Sequence, residues 1–273
     1  MPTPSCQASG FSTPLYVIDE DHAKARALRV RSAFDAAMER VGSSAKVYYA
    51  GKAFLCTEVV RWVVDAGMYV DVASGGELAV ALAAGIDPAR IGFHGNNKSI
   101  AEIERAVAVG VGTIVVDSDW EIDRVADAAR SAGRIQRVRL RVNSGVHANT
   151  HDFLATAHED QKFGITIADA PDIVAEIRSH ETLSFVGLHC HIGSQIYGTS
   201  GFAESASRLI ELHAALNAIA PITELNLGGG FGIAYKPGDA PTDIETIADE
   251  IASVVARECA ARNIPVPVVA FEP

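Results

Sequence analysis

From residue 45 to the end, the chain alternates between two hydrophobic periods. Short runs rich in β-branched and apolar residues lie at 47–50, 69–73, 91–94, 113–117, 138–142, 184–191, 224–227 and 266–271, and these read as strands. Between them lie Ala-rich stretches with helical spacing of their apolar positions, at 57–66, 76–84, 99–109, 120–132, 168–179, 202–220 and 243–262. Ser74 and Glu77, Ser99 and Glu102, and Thr242 and Glu245 have the spacing of a capping box at three of the helix starts. Gly67, Gly85, Gly110 and Gly133 stand where a glycine ends a helix. Ahead of this alternation, 15–18 reads as a short strand. Residues 21–41 read as a helix with Ala25, Leu28, Ala33 and Met38 among charged positions. The units repeat in structure but not in sequence identity, which excludes a solenoid.

Eight strands alternating with helices predict an α/β fold, a (β/α)8 TIM barrel at about the usual ~250 residues. An open doubly wound sheet is the alternative. The barrel is favoured because residues with chemical function stand at the C-terminal ends of many different strands. A barrel gathers those ends at one mouth, whereas an open sheet strings them along an edge. Residues 1–40 are expected to form an N-terminal segment of strand plus helix, belonging in part to a domain outside this chain, and 41–273 the barrel. No helix follows the eighth strand before the chain stops at Glu272-Pro273. A barrel lacking its last helix, and the N-terminal segment's strand lacking a partner, lead us to expect a further domain outside this chain.

Composition narrows the function. A formal charge of −11 argues against nucleic acid or an anionic membrane as a partner recognised by bulk charge. No apolar run reaches the roughly 18 residues of a membrane span, and the polar, Pro/Ser-rich start is unlike a signal peptide. Cys6, Cys56, Cys190 and Cys259 include no C-x-x-C pair, so a structural zinc site is not expected, and sparse cysteines fit a reducing cytoplasm.

The strand ends supply the candidate chemistry. Lys52 follows the first strand; in partly apolar surroundings its amine would be neutral and nucleophilic. Asp71, near the end of the second, would face it across the mouth. His94-Gly95-Asn96-Asn97-Lys98 ends the third and offers ligand donors. Alternation puts Arg139 and Arg141 of the fifth on one side, with Arg141 at the tip for a phenolate or a carboxylate. The long segment after it carries His147, His151, His158 and Lys162, and long loops in compact domains are usually functional or mobile. His189 and His191 end the sixth strand. They suit either a metal or the face of an aromatic ring. Gly228, Gly229 and Gly230 end the seventh, where barrels commonly hold phosphate, and Glu272 ends the eighth. One ligand matches all of these. Pyridoxal 5'-phosphate would place its aldehyde at Lys52, its ring nitrogen at Glu272, a ring face on a histidine, and its phosphate at Ser194 and the three glycines.

Several motifs, in this order, resemble the barrel-type (fold type III) pyridoxal phosphate-dependent amino-acid decarboxylases. They are Tyr49-Ala50-Gly51-Lys52-Ala53, His94-Gly95-Asn96-Asn97-Lys98-Ser99, Lys162-Phe163-Gly164, His189-Cys190-His191-Ile192-Gly193-Ser194-Gln195, Gly228-Gly229-Gly230 and Glu272-Pro273. The resemblance runs from about residue 15 to 273. It implies an alanine racemase-like barrel with Lys52 as Schiff-base lysine, His191 as the stacking histidine, and Ser194 and Gly228 to Gly230 as phosphate contacts. Glu272 would be the pyridinium partner, with Asp71, Glu77 and Arg141 as polar neighbours of the cofactor and no metal. The reaction implied is α-decarboxylation of an amino-acid substrate, meso-diaminopimelate, to L-lysine and CO2, by a homodimer. In this family the Glu-Pro pair is followed by Gly-Arg and a C-terminal β-domain that completes the substrate site, so this chain is expected to be the barrel part. Three alternatives stay open: a decarboxylase of another basic amino acid, a non-catalytic pyridoxal phosphate-binding barrel, and a metal-dependent hydrolase using His189 and His191.

Overall fold

The computed structural model describes residues 14–146 and 163–273. His147, His151, His158 and Lys162 therefore lie outside the described residues. The elements run α1 (Glu20–Arg40), β1 (Ala45–Ala50), α2 (Thr57–Asp65), β2 (Tyr69–Val72), α3 (Gly75–Ala83), β3 (Ile91–Phe93), α4 (Ile100–Val109), β4 (Thr113–Val116) and α5 (Trp120–Ser131). They continue with β5 (Gln136–Asn143), β6 (Ile165–Thr166), α6 (Ala170–Ser179), β7 (Leu183–His189), α7 (Ser200–Ile219), β8 (Glu224–Gly229), α8 (Ile244–Ala261) and β9 (Val268–Glu272).

All strand pairings are parallel, in the order β4-β3-β2-β1-β9-β8-β7-β5, and a β4–β5 pairing closes the circle. The eight-stranded barrel is thus present, and the open sheet is excluded. The two-residue β6, not foreseen, pairs only with the tip of β5 at Val142 and Asn143. Ser74 and Ser99 cap α3 and α4 as expected, the second as a full capping box with Glu102. The cap expected from Thr242 does not form: Asp243 is the N-cap of α8, and Glu245 pairs with Arg29 of α1 at 2.7 Å.

Two expectations about the N-terminal segment change. Residues 15–18 form no strand. They are exposed, with Tyr16 fully so, because a closed barrel offers no free edge to join. The last strand is also not left bare. α1 packs against α8, α2 and β1, and the buried Phe34 stacks on Phe271 of β9 with ring centroids 4.0 Å apart. The helix that precedes the barrel fills the position that a helix after β9 would take, which gives the ring of helices its eighth member.

The apolar core lies between strands and helices; the inside of the barrel is polar. Arg139 is wholly buried there. It donates to Glu224 Oε2 at 2.6 Å and to the Tyr48 hydroxyl at 3.3 Å, while Lys46 and Arg137 reach Glu224 Oε1 from below. Burial and the neighbouring acids push the Tyr48 hydroxyl up to about 12, against the pull of Arg139. Gly92 of β3 makes room for this interior: a Cβ there would lie 2.3 Å from Asp71 Oδ1.

Candidate active site

Most of the expected residues meet at the C-terminal end of the barrel. A cleft of about 600 Å3 is lined by Lys52, Asp71, His94, Arg141, His189, His191, Ser194 and Glu272, together with Phe163 and backbone of the intervening loops. That volume is in the range of small-molecule sites.

Lys52 stands in the turn after β1. Gly51 donates to Asp71 O at 2.9 Å, and a Cβ on Gly51 would lie 2.6 Å from that oxygen, so the glycine brings the turn against β2. The apolar surroundings expected of Lys52 are not present, because the residue is exposed at the cleft. His191 is half-buried. Burial, and next the charge of Lys52, push its imidazole down to about 4, so it is neutral at pH 7. Arg141 lies over the Phe163 ring at 4.7 Å and 3.5 Å from Asp117, whose other oxygen accepts from Gly164 N at 3.1 Å.

Beneath these residues lies a buried acid–imidazole network. His94 Nε2 is 3.2 Å from Asp71 Oδ1 and 3.4 Å from Glu272 Oε1, and His189 Nε2 is 3.3 Å from the same Glu272 oxygen. Burial works to raise Glu272, but His94 and then His189 outweigh it and hold the carboxylate well below its usual range. Burial lowers His94, yet Asp71 and Glu272 outweigh that and raise it, which favours an imidazolium between two acids. Asp71 is raised by burial to about 6 in spite of His94, and neither of its oxygens has a hydrogen-bond partner among the described residues.

A raised folded-state value means that the native protein binds this proton more tightly than the unfolded chain does. Wild type therefore gains stability from Asp71 as pH falls through about 6 toward 3.8, and lacks that gain at pH 7. Asp71→Asn is expected to be more stable than wild type at pH 7 by on the order of 2 kcal/mol. The advantage should disappear on acidification, which urea denaturation across that pH range will measure.

The remaining expected residues divide. Ser194 lines the cleft, whereas Gly228, Gly229 and Gly230 do not. The Gly228 N–H is already bonded to Asn226 Oδ1 at 2.8 Å. A Cβ on Gly229 would lie 1.8 Å from Glu272 O, and one on Gly230 would lie 1.9 Å from Gly193 O. These glycines are required first by close packing of β8 against β9 and the β7–α7 loop. Glu77 is half-buried and accepts from Ala73 N at the start of α3, outside the cleft. Lys98 is buried and bonded to Glu121 and to the carbonyls of Gly95 and Val115, so it braces the fold. The pair of the metal-dependent alternative, His189 and His191, is not the cluster formed: among the described residues the ligand atoms brought within 4.8 Å of one another belong to His94, His189 and Glu272. Sequence reading missed Asn226, which donates to Glu272 Oε1 at 2.7 Å. Its signal was an amide set between Leu225 and Leu227 within a short strand.

Residues 27–273 match the family model of the pyridoxal-dependent decarboxylases, in its pyridoxal binding domain. The chain belongs to this family. Diaminopimelate decarboxylases of Mycobacterium leprae and Mycobacterium tuberculosis (strain ATCC 25618 / H37Rv) are each 46% identical over 274 residues, across 97% of this chain and 57% and 60% of their own lengths. The crystal structure of diaminopimelate decarboxylase from M. jannaschii in complex with L-lysine superposes with a TM-score of 0.88 at 30% identity, covering 96% of this chain and 61% of that one. The chain thus spans about three fifths of the length of these relatives. Pyridoxal phosphate, expected from the strand tips, is the family's cofactor. The cleft fits it: orphaned buried polar atoms on Asp71, His94 and His189 face a space large enough for a ring, beneath an accessible lysine. Among the described residues no helix is long and apolar enough to cross a membrane.

Proposed function

We propose that this chain is the cofactor-binding barrel of an enzyme that removes one α-carboxyl group of meso-diaminopimelate, giving L-lysine and CO2. The observation that carries this is the convergence of Lys52, Asp71, Arg141, His191, Ser194 and Glu272 on one cleft at the strand ends. Its similarity to diaminopimelate decarboxylases, one of them in complex with L-lysine, supports the choice of substrate.

When bound, pyridoxal phosphate supplies an aldehyde that takes up an amine and a protonated ring that accepts the electron pair left by departing CO2. The residues have separate tasks. Lys52 is the amine that holds the aldehyde. Glu272, ionised in its nest of donors, keeps the proton on the ring nitrogen. His191, neutral at pH 7, covers a ring face without adding a second positive charge. Ser194, at the cleft, receives the phosphate, with Gly230 packed behind the loop that carries it, and Arg141 faces a ring oxygen or a carboxylate. Asp71 holds the ammonium of Lys52 when the substrate amine replaces it. Residues 41–273 form the barrel domain, with α1 as its eighth outer helix. The full-length protein is a cytoplasmic homodimer; the thiols of Cys56, Cys190 and Cys259 are free, as a reducing compartment requires.

The test is titration with pyridoxal phosphate. One equivalent per chain, with a visible band that borohydride removes, is expected. A chain extended to the length of its relatives should release CO2 from meso-diaminopimelate. Release from ornithine, arginine or lysine instead would reassign the substrate, and no uptake of cofactor would sink the reading.

A further inference from the structure

Asn226 lies on β8, wholly buried, with its side chain between two parts of the site. β8 carries an extra residue against β9: Asn226 is opposite Ala270, but Gly229, three residues on, is opposite Glu272, only two on. Such a bulge frees a backbone N–H, and a buried one needs an acceptor. Asn226 Oδ1 supplies it, taking the Gly228 N–H at 2.8 Å where that glycine turns with φ +68°. This bond fixes the amide. With oxygen toward Gly228, the NH2 group must face Glu272, and an NH2 group only donates. It meets Glu272 Oε1 at 2.7 Å, so that oxygen accepts, which favours the charged carboxylate. His94 and His189 approach the same oxygen. All three polar neighbours are gathered on Oε1, and Oε2 has no hydrogen bond among the described residues.

We propose that Asn226 is a positioning residue. Its amide ties the glycine turn of β8 to Glu272, keeps Oε1 unprotonated and leaves Oε2 free for the ring nitrogen of pyridoxal phosphate. The proposal rests on the reading of Glu272 as the partner of that nitrogen. It adds the group that sets the carboxylate's rotamer and charge, and it links Glu272 to the glycine turn behind the cleft through one side chain.

Two variants test it in the cofactor-loaded chain. The readout is the 15N chemical shift of pyridoxal phosphate labelled at its ring nitrogen, followed against pH. Asn226→Ala removes both bonds. It is expected to shift the ring nitrogen toward the neutral pyridine value and to weaken cofactor binding about tenfold or more. Asn226→Asp keeps an acceptor for Gly228, and with it the bulge, but sets a second carboxylate against Glu272. The two acids can coexist at that distance only by sharing a proton. At acidic pH, where that proton is bound, this variant should melt close to wild type in the cofactor-free state, falling below it as pH rises to neutral, while its nitrogen signal and visible band titrate in the neutral range, where those of wild type do not. A lower melting temperature in Asn226→Ala with an unchanged nitrogen shift, or an Asn226→Asp profile identical to wild type, overturns the proposal. Failure of the wild-type chain to take up cofactor would remove the parent reading as well; cofactor bound normally with unaltered variants removes only this inference.

Discussion

Replacing Glu224 with alanine is expected to cost about 3–5 kcal/mol of stability, enough to unfold much of a domain of ordinary stability. The carboxylate is buried near the start of β8 and touches Lys46, Arg137 and Arg139. Burial works to raise it, but Arg139 and then Lys46 hold it below its usual range. Lys46 and Arg137 keep part of their surface in water and can hydrate when Glu224 goes. Arg139 cannot. It is wholly buried, and among the described residues its Nε and Nη1 have no partner and only the Tyr48 hydroxyl would remain, at 3.3 Å. A guanidinium does not shed its proton to escape, so the full charge is stranded in the barrel. Glu224→Leu combined with Arg139→Met removes the charge with its partner and is expected to recover most of the loss. Guanidinium denaturation of both variants measures this. A single variant losing under about 1 kcal/mol would mean that water reaches Arg139.

This interior marks the boundary of what the sequence made legible. The barrel could be read because parallel strands with both faces covered are short apolar runs, and glycines and capping serines punctuate the helices between them. The tips could be read because Lys52, Arg141, His191 and Glu272 are polar residues where apolar runs stop. Side-chain pairing inside the barrel is a different problem. Arg139 and Arg141 share an alternation, yet one is a buried brace and the other a cleft residue. The difference lies in height along the barrel axis, which depends on strand stagger. The partner of Arg139 lies 85 residues away in sequence, and Glu224 alone resembles a strand-start acid. Asn226 was hidden for the same reason, since its role depends on a bulge that only the β8–β9 register reveals. The N-terminal segment is a different case. Residues 15–18 have strand composition, but a strand needs an edge, and the closed barrel supplies none.

Lys52→Ala is expected to abolish covalent retention of pyridoxal phosphate while leaving the barrel intact. Lys52 is exposed, so its loss should change stability by no more than about 0.5 kcal/mol. Retention is a separate matter. Lys52 is the lysine that lines the cleft among the described residues, and Lys98, the buried lysine of the neighbouring β3–α4 loop, is committed to Glu121 and two carbonyls. After borohydride reduction, mass spectrometry should find the cofactor on a Lys52 peptide in wild type and on no peptide in the variant. In a chain extended to the length of its relatives, CO2 release should fall by several orders of magnitude, the scale seen when a covalent catalyst is deleted. A second readout needs no cofactor. The charge of Lys52 helps to push His191 down to about 4, after burial. With the lysine gone only burial remains as the main cause, so His191 should titrate at higher pH in the variant, visible as a displaced imidazole proton resonance. A displaced His191 with undiminished covalent labelling would locate Lys52 beside the ring-stacking histidine but assign the attachment to another lysine. An unmoved His191 would deny even that proximity. Loss of both together is what a lysine poised over a neutral imidazole at the barrel mouth requires.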